Sequence, residues 1–186
     1  MKKIRIAING AGRIGRAFLK LAITNPEIEI VAINDIGDIN NIAYLLKHDT
    51  VYKDSGLDIK VDGQGFVING KNVAYTSVKD PATLPWASMK IDIVVESTGL
   101  FASFEKARAH ITAGAKKVVI TGPVKEDPKD ATEATVLMVL NEDALKGAVV
   151  SSNASCTTNA GSPLMAILDE TVGIEKALLN TVHAYT

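Results

Sequence analysis

Three glycines between a strand-like run and a helix-like run constrain the fold of this 186-residue chain more than any other feature. The run Ile4–Asn9 is apolar with little alternation, which is typical of a parallel strand covered on both faces. Residues 10–15, Gly-Ala-Gly-Arg-Ile-Gly, open a segment of helical periodicity that ends before Asn25-Pro26. Glycines at this spacing make a tight turn, admit a pyrophosphate near the backbone and let helix and strand pack closely. The sequence therefore predicts a dinucleotide-binding unit.

An acidic residue follows the next β-prone run, Ile28–Asn34. Asp35 lies 20 residues after Gly15, where a carboxylate accepts the ribose hydroxyls of NAD and repels the 2′-phosphate of NADP. A glycine motif alone is a weak signal, and Asp35 has the alternative role of capping a following helix. Strand, glycine turn, helix, strand and acid in this order favour an NAD site.

The sequence up to about residue 150 predicts an α/β fold, a Rossmann-type doubly wound and mostly parallel sheet with an antiparallel hairpin excursion. Asp62-Gly63 and Asn69-Gly70 are hairpin signals between short β-prone runs. Beyond residue 35, strands are predicted at 57–61, 66–68, 72–75, 91–96, 117–120, 136–140 and 148–150. Helices are predicted at 39–46 and 103–112, and loops at 47–50 and 124–132. Ser97-Thr98-Gly99 and Phe101 follow the strand 91–96, at the edge where open α/β sheets bind ligands.

Composition argues against several classes of protein. A net charge of −1 gives no electrostatic footprint for nucleic acid or an anionic membrane, and no apolar run approaches the roughly 18 to 20 residues of a membrane helix. A single cysteine cannot form an internal disulfide, which fits a reducing cytoplasm. His48 has no metal-ligand cluster around it, so we interpret it as a surface or packing residue and expect no metal. Trp86 is interpreted as a packing anchor.

The single cysteine, Cys156, lies where a β-prone run gives way to a helix predicted at 156–170. Unpaired N–H groups and the dipole at a helix N-terminus favour thiolate and lower a cysteine pKa below its usual value of about 8.5. A lone cysteine is more often a small buried hydrophobe. Its Ser, Thr and Asn neighbours are poor core fillers, however, and favour a nucleophile.

A histidine lies near the end of the chain, after a helix stop at Gly173 and within a strand predicted at 177–186. A helix followed by a returning strand can bring His183 to Cys156, where it would act as a general base. The alternative is a structural histidine, and the sequence leaves both open.

Five segments together resemble phosphorylating glyceraldehyde-3-phosphate dehydrogenases, and the resemblance runs through all 186 residues. The most specific is Ser-Asn-Ala-Ser-Cys-Thr-Thr-Asn at 152–159, and the 27-residue step from Cys156 to His183 agrees with the family's nucleophile-to-base spacing. The other segments are residues 8–16, 34–35, 95–99 and 181–186.

The resemblance implies a thiolate mechanism that converts glyceraldehyde 3-phosphate to 1,3-bisphosphoglycerate in glycolysis. Cys156 would attack the aldehyde to give a thiohemiacetal, and His183 would take up its hydroxyl proton as hydride passes to NAD. Inorganic phosphate would then release the thioester, with the Cys156 N–H stabilising the oxyanion. Ser155 and Thr157 are implied for the attacking phosphate and Thr186 for the substrate phosphate. For NAD it implies Asn9, Gly10, Gly12, Arg13, Ile14, Gly15, Asp35, Lys79, Ser97, Thr98, Gly99, Phe101 and Thr121.

The resemblance also implies an NAD-binding domain at residues 1–153 and the beginning of an α+β catalytic domain, its first helix and strand, at 154–186. It implies a cytoplasmic homotetramer with no nucleic-acid or membrane partner. The chain departs from the family pattern at four places. Ala11 stands where the family has an aromatic residue, and Ala160 where many members have a second cysteine. The segment 123–135 is longer than usual, and Val139-Leu140-Asn141 differs in sequence from the family's usual tripeptide.

Members of the family continue well beyond residue 186. We therefore expect this chain to bind NAD but to be catalytically incomplete, with apolar surface exposed on residues 156–182 that favours self-association or disorder. Two alternatives stay open: an erythrose-4-phosphate dehydrogenase, and an NAD-binding module without activity.

Overall fold

One nine-stranded sheet organises the computed structural model, which describes residues 2–63 and 65–184. Its strands are β1 (Ile4–Asn9), β2 (Ile28–Asn34), β5 (Ile59–Asp62), β6 (Gly65–Ile68), β7 (Lys71–Thr76), β8 (Ile93–Glu96), β9 (Lys117–Ile120), β10 (Glu133–Thr135) and β11 (Val150–Ser152). Two further strands, β3 (His48–Asp49) and β4 (Lys53–Asp54), form a separate hairpin. The helices are α1 (Arg13–Ala22), α2 (Ile39–Lys47), α3 (Phe104–Ala107), α4 (Ala109–Thr112) and α5 (Cys156–Val172).

The strand order is β10-β11-β9-β8-β1-β2-β7-β6-β5. All neighbours from β10 to β7 are parallel, whereas β7, β6 and β5 pair antiparallel. Asn69 and Gly70 both have positive φ, as the turn between β6 and β7 requires. The predicted Rossmann-type sheet with its hairpin excursion is confirmed.

Helices cover both faces of the sheet because the central strands are apolar on both sides. In β1, Ile8 packs in one buried cluster with Leu19 of α1, and the adjacent Ala7 packs in a second cluster with Trp86 and Phe104. Trp86 has no exposed surface, so its interpretation as a packing anchor is confirmed.

The register brings the carboxyl ends of the parallel strands to one level. Asn9 at the end of β1 aligns with Glu96 of β8, and Glu96 aligns with Ile120 of β9. Ile120 aligns in turn with Ser152, the last residue of β11. The glycine turn after β1 and the segment that leads to Cys156 therefore start from the same edge of the sheet.

Four predictions of secondary structure were wrong, three of them before residue 150. The strand expected at 136–140 is instead a turn that follows β10, because the side-chain amide of Asn141 binds the Leu137 N–H at 2.8 Å and the Thr135 carbonyl at 2.9 Å. The helix expected at 103–112 is divided at Arg108 into α3 and α4. The loop expected at 47–50 contains β3, which pairs with β4.

The strand expected at 177–186 is also absent over its described part, residues 177–184, which have no regular structure. A strand needs a partner and a surface to cover, whereas Leu178 and Val182 are 96% and 97% exposed. The helix before it, α5, is confirmed, as is its end at Gly173.

Candidate active site

The glycine turn after β1 is built so that two of its glycines tolerate no side chain. Gly10 has φ +97, and a Cβ there would lie 2.7 Å from the backbone nitrogen of Thr98. A Cβ on Gly15 would lie 2.0 Å from the Gly10 carbonyl oxygen, so this glycine sets the packing of α1 on the turn. A Cβ on Gly12, which precedes α1, would meet no atom of the described residues within 4 Å other than those of its chain neighbours. The open side of Gly12 is therefore space for a ligand at the helix N-terminus.

A cavity of about 380 Å³ lies at the carboxyl ends of β1, β2 and β8, beside this turn. Its lining residues are Asn9, Gly10, Gly12, Asn34, Asp35, Ile36, Val78, Lys79, Ser97, Thr98, Leu100 and Phe101. Eight of the residues predicted for NAD are among them. The other five, Arg13, Ile14, Gly15, Gly99 and Thr121, lie outside its lining.

Sequence reasoning missed four lining residues, Asn34, Ile36, Val78 and Leu100. Asn34 and Ile36 flank Asp35, so their position beside the acid was a usable signal. Val78 follows β7, and its place in the cavity depends on the pairing of β7 with β2. That pairing joins distant parts of the chain and has no local signal.

Asp35 is held by backbone donors and does not cap α2. Its two carboxylate oxygens accept from the Ala11 N–H at 2.6 Å and the Gly37 N–H at 2.8 Å, whereas Asp38 caps α2. Each carboxylate oxygen can accept a second hydrogen bond. Tyr75 supports this loop, since its hydroxyl lies 2.6 Å from both the Asp35 and the Gly37 carbonyl oxygens. Burial, with the nearby charge of Asp35, raises the pKa of Tyr75 and keeps it a donor.

The cysteine and the late histidine meet at the start of α5, although no strand delivers the histidine. Cys156 is the first residue of α5, and its Sγ lies 3.3 Å from Nε2 of His183. His183 Nδ1 lies 2.6 Å from the Ala184 carbonyl oxygen. That oxygen can only accept, so Nδ1 carries the proton and the neutral ring presents Nε2 to the sulfur as an acceptor.

The contact changes the titration of both groups. The hydrogen bond between Cys156 and His183 lowers the pKa of Cys156, because the thiol proton can pass to Nε2 and the imidazolium then donates to the thiolate. Hydrogen bonds from Thr157 add to this effect. The same contact raises the pKa of His183, together with the Ala184 carbonyl. Both side chains are exposed, so a thiolate here is reachable from solvent. A thiol and an imidazole at this distance could act as a nucleophile and its base.

The residues around Cys156 hold the start of α5 in place. Ser155 is the N-cap, and its Oγ accepts the Thr158 N–H at 3.0 Å. The Asn159 side-chain amide donates to the carbonyl oxygens of Asn153 and Ser155 at 2.7 and 2.9 Å. Thr158 and Asn159 are supports that sequence reasoning did not single out. Thr186, predicted to bind the substrate phosphate, lies outside the described residues.

None of the helices in the described residues combines the length and apolar character needed to cross a membrane. The same residues contain no group of three or more His, Cys, Asp or Glu side chains that could hold a metal ion. His48 is exposed, with Nδ1 at 4.0 Å from an Asp54 carboxylate oxygen.

Comparison with protein families agrees with this geometry. Residues 4–104 match the model of the glyceraldehyde 3-phosphate dehydrogenase NAD-binding domain, and residues 155–186 match that family's C-terminal domain. The chain belongs to the glyceraldehyde-3-phosphate dehydrogenase family. Its cofactor is NAD, and the residues fit: Gly12 leaves space at the start of α1, and the Asp35 oxygens can each accept a ribose hydroxyl.

Curated relatives carry the same family name. The chain is 43% identical to glyceraldehyde-3-phosphate dehydrogenase 1 of Bacillus subtilis over 185 residues. It is 48% identical to the cytosolic glyceraldehyde-3-phosphate dehydrogenase of Trypanosoma brucei brucei over 183 residues. Each alignment covers 98% of this chain and 54% of the relative. The chain thus spans about half the length of these glyceraldehyde-3-phosphate dehydrogenases.

Proposed function

We propose that this chain carries the cofactor domain and the nucleophile of an enzyme that oxidises and phosphorylates glyceraldehyde 3-phosphate. The observation that supports it most strongly is the 3.3 Å contact between Cys156 Sγ and His183 Nε2 at the start of α5. β11, the strand before Cys156, ends at the same level as β8, at the edge of the sheet that holds the cofactor cavity. The ends of β11 and β8 are two strand positions apart, or roughly 10 Å. Nucleophile and cofactor cavity therefore share one edge of the sheet.

In the proposed reaction the Cys156 thiolate attacks the aldehyde carbon, and the carbonyl oxygen is protonated to give a thiohemiacetal. NAD supplies the hydride acceptor when bound. His183 Nε2 takes the hydroxyl proton as the carbon is oxidised, which leaves a thioester on Cys156. Attack by inorganic phosphate then breaks the carbon–sulfur bond, releases 1,3-bisphosphoglycerate and returns the thiolate.

The start of α5 suits the charges that develop in this sequence. The Cys156 N–H belongs to the first helical turn, where backbone donors have no intrahelical acceptor, and would stabilise the oxyanion. We assign the attacking phosphate to Ser155 and Thr157, which flank Cys156 in the sequence, and the substrate phosphate to Thr186. For NAD we assign the residues that the resemblance implied, eight of which line the cavity.

We place the domain boundary between residues 153 and 154. The end of β11 at Ser152 and the start of α5 at Cys156 support this division, as does the match of the C-terminal family model from residue 155. The complete enzyme would be a cytoplasmic homotetramer. It would need a protein segment that corresponds to the remaining half of the relatives to enclose its substrate.

A binding module without activity is the second candidate, and the exposure of Cys156 and His183 favours it for this chain by itself. Protein walls that exclude water strengthen the electrostatic interactions on which catalysis depends. The exposed side chains of Cys156 and His183 lack such walls.

One preparation of the 186-residue chain separates the candidates. NAD binding is measured by calorimetry, and NADH formation is followed with phosphate and either glyceraldehyde 3-phosphate or erythrose 4-phosphate.

We expect saturable NAD binding with little or no turnover. Phosphate-dependent NADH formation would refute the binding-only candidate, and faster reaction with the tetrose would favour an erythrose-4-phosphate dehydrogenase. In a complete enzyme that carries this chain, Cys156→Ser should abolish aldehyde oxidation and leave NAD binding intact. Turnover that survives Cys156→Ser would contradict the proposed function.

A further inference from the structure

A buried cluster of polar side chains lies beneath the cofactor cavity without lining it. Glu96 is 1% exposed and His110 of α4 is 0% exposed. The Glu96 carboxylate accepts from four donors: the Thr98 N–H at 2.8 Å, the Thr98 hydroxyl, the Asn9 amide at 2.5 Å and His110 Nε2 at 2.9 Å. Donors therefore occupy both oxygens of this carboxylate.

Trp86 fixes the proton on His110. The indole N–H can only donate, and it lies 3.0 Å from His110 Nδ1. Nδ1 must therefore be the acceptor, so the neutral ring carries its proton on Nε2 and donates it to Glu96. The amide of Asn9 lies 3.4 Å from His110 Nε2, as expected for two donors that converge on one oxygen.

Glu96 connects this cluster to one wall of the cavity through Thr98. The Thr98 hydroxyl gives its proton to Glu96, and its oxygen accepts the Leu100 N–H at 3.1 Å. Gly99 between them has φ +75. The turn that carries Thr98 and Leu100 into the cavity is thus held by the carboxylate below it.

The opposite wall is connected through two asparagines. Asn9 donates to Glu96, and its Oδ1 accepts from the Asn34 amide at 2.7 Å. Asn34 in turn binds the Val78 carbonyl and N–H, both at 2.9 Å. A continuous chain of hydrogen bonds therefore runs from Thr98 under the cavity floor to Val78.

We propose that Glu96 and His110 are positioning residues for NAD: together they set the distance and orientation of the two cavity walls, with His110 locked by Trp86 in its Nε2-protonated form. The inference rests on the proposed function, because it takes NAD as the ligand of this cavity. Neither residue lines the cavity. Their effect on binding passes through Thr98, Asn9 and Asn34, and through Phe101, whose ring packs edge-on against His110.

Glu96→Gln is the direct test. The new NH₂ group must face either Thr98 or the pair formed by Asn9 and His110, and each is a donor that its other contacts hold in place. We expect the dissociation constant for NAD to rise about tenfold or more. Glu133→Gln is the matched control, since Glu133 is a second buried carboxylate that accepts from Arg108 at 2.9 Å and lies outside the cavity lining. It should destabilise the fold and leave NAD affinity unchanged.

A rescue experiment separates positioning from general destabilisation. Trp86→Phe removes the indole donor, so His110 can move its proton to Nδ1 and accept from the new amide. The Glu96→Gln/Trp86→Phe variant should therefore bind NAD more tightly than Glu96→Gln, with Trp86→Phe alone measured to complete the cycle. If the two substitutions only destabilised the fold, their effects would add, and the double variant would bind NAD more weakly than Glu96→Gln. That result would overturn the proposal.

Nitrogen-15 NMR of the unsubstituted chain gives a test that needs no variant to fold. The chain has three histidines and one tryptophan, so the signals can be assigned. We expect His110 protonated on Nε2 only; a ring protonated on Nδ1 would overturn the proposal. Folded Glu96→Gln with unchanged NAD affinity would also overturn it while leaving the proposed function intact. Failure of the unsubstituted chain to bind NAD would contradict the proposed function itself.

Discussion

The sulfur of Cys156 is acidified by specific contacts that can be removed one at a time. The hydrogen bond with His183 is the largest cause of its lowered pKa, followed among the lowering contacts by Thr157. Ala154, two residues before, has φ +56, which is uncommon for a residue with a Cβ. This turn directs the chain from β11 into the cap of α5, so the backbone itself places the sulfur at the helix start.

His183→Gln should shift the pH dependence of Cys156 alkylation. In the unsubstituted chain the folded-state pKa of Cys156 is lowered, so iodoacetamide should react at a pH below the ordinary thiol range of about 8.5. Removal of the imidazole should move the half-maximal rate to higher pH. Stopped-flow or mass-spectrometric alkylation rates from pH 5 to 10 measure the shift.

His48→Gln is the matched control, because His48 is equally exposed and is paired with Asp54, away from the sulfur. Its alkylation profile should coincide with that of the unsubstituted chain. Identical profiles for all three proteins would show that His183 does not act on the thiol.

At the scale of elements, α5 differs from the helices that pack on the sheet, since none of its residues is buried. Local interactions therefore contribute much of its order, and the Ser155 cap is the clearest of them. The first turn of α5 carries both the nucleophile and the proposed phosphate site. The cap is consequently as important to the site as the residues that would touch substrate.

Ser155→Ala should loosen the start of α5 without unfolding the sheet. Loss of an N-cap costs about 1 kcal/mol, which corresponds to roughly fivefold faster hydrogen exchange where exchange occurs by local opening. The Thr158 amide should show the effect, and the amides of β1 should not. An unchanged rate at Thr158 would mean that the cap contributes nothing to the order of α5.

Local signals predicted the elements that position the cofactor, and non-local packing decided the rest. The strand, glycine turn and helix at residues 4–22 could be predicted because each signal lies within a few residues of its effect. The partners of Glu96 could not, since Asn9 is 87 residues away and is placed by the pairing of β1 with β8. The turn at 137–140 was mistaken for a strand because Asn141 binds its backbone, and apolar composition gives no sign of that.

For the whole molecule, the contrast is between a sheet covered on both faces and an apolar stripe that is left uncovered. Leu164, Leu168 and Val172 follow one another at intervals of four on α5 and are 57%, 38% and 77% exposed. The predicted exposure of apolar surface on residues 156–182 is confirmed. Self-association through this surface stays a prediction.

The 186-residue chain should associate as its concentration rises, and Leu164→Lys/Leu168→Lys should weaken that association. Charged groups on the stripe would have to be desolvated in any interface. Sedimentation velocity from micromolar to millimolar concentrations measures the association. Leu21→Lys is the matched control, because Leu21 lies on α1 and is also exposed, at 77%. A monomer at every concentration would contradict the prediction.

We expect NAD to bind at the glycine turn and its cavity, and calorimetric titration of Gly12→Ala tests this most directly. Within 4 Å, a Cβ on Gly12 would meet no atom of the described residues other than its chain neighbours, so it would enter open space beside the cavity that Gly12 lines. The unsubstituted chain should bind NAD at one site, and Gly12→Ala should keep its melting temperature but bind at least about tenfold more weakly. Gly161→Ala, whose Cβ would make only ordinary contacts at 3.7 Å, is the control and should bind normally. Equal NAD affinity in Gly12→Ala and the unsubstituted chain, or no binding by either, would contradict the account.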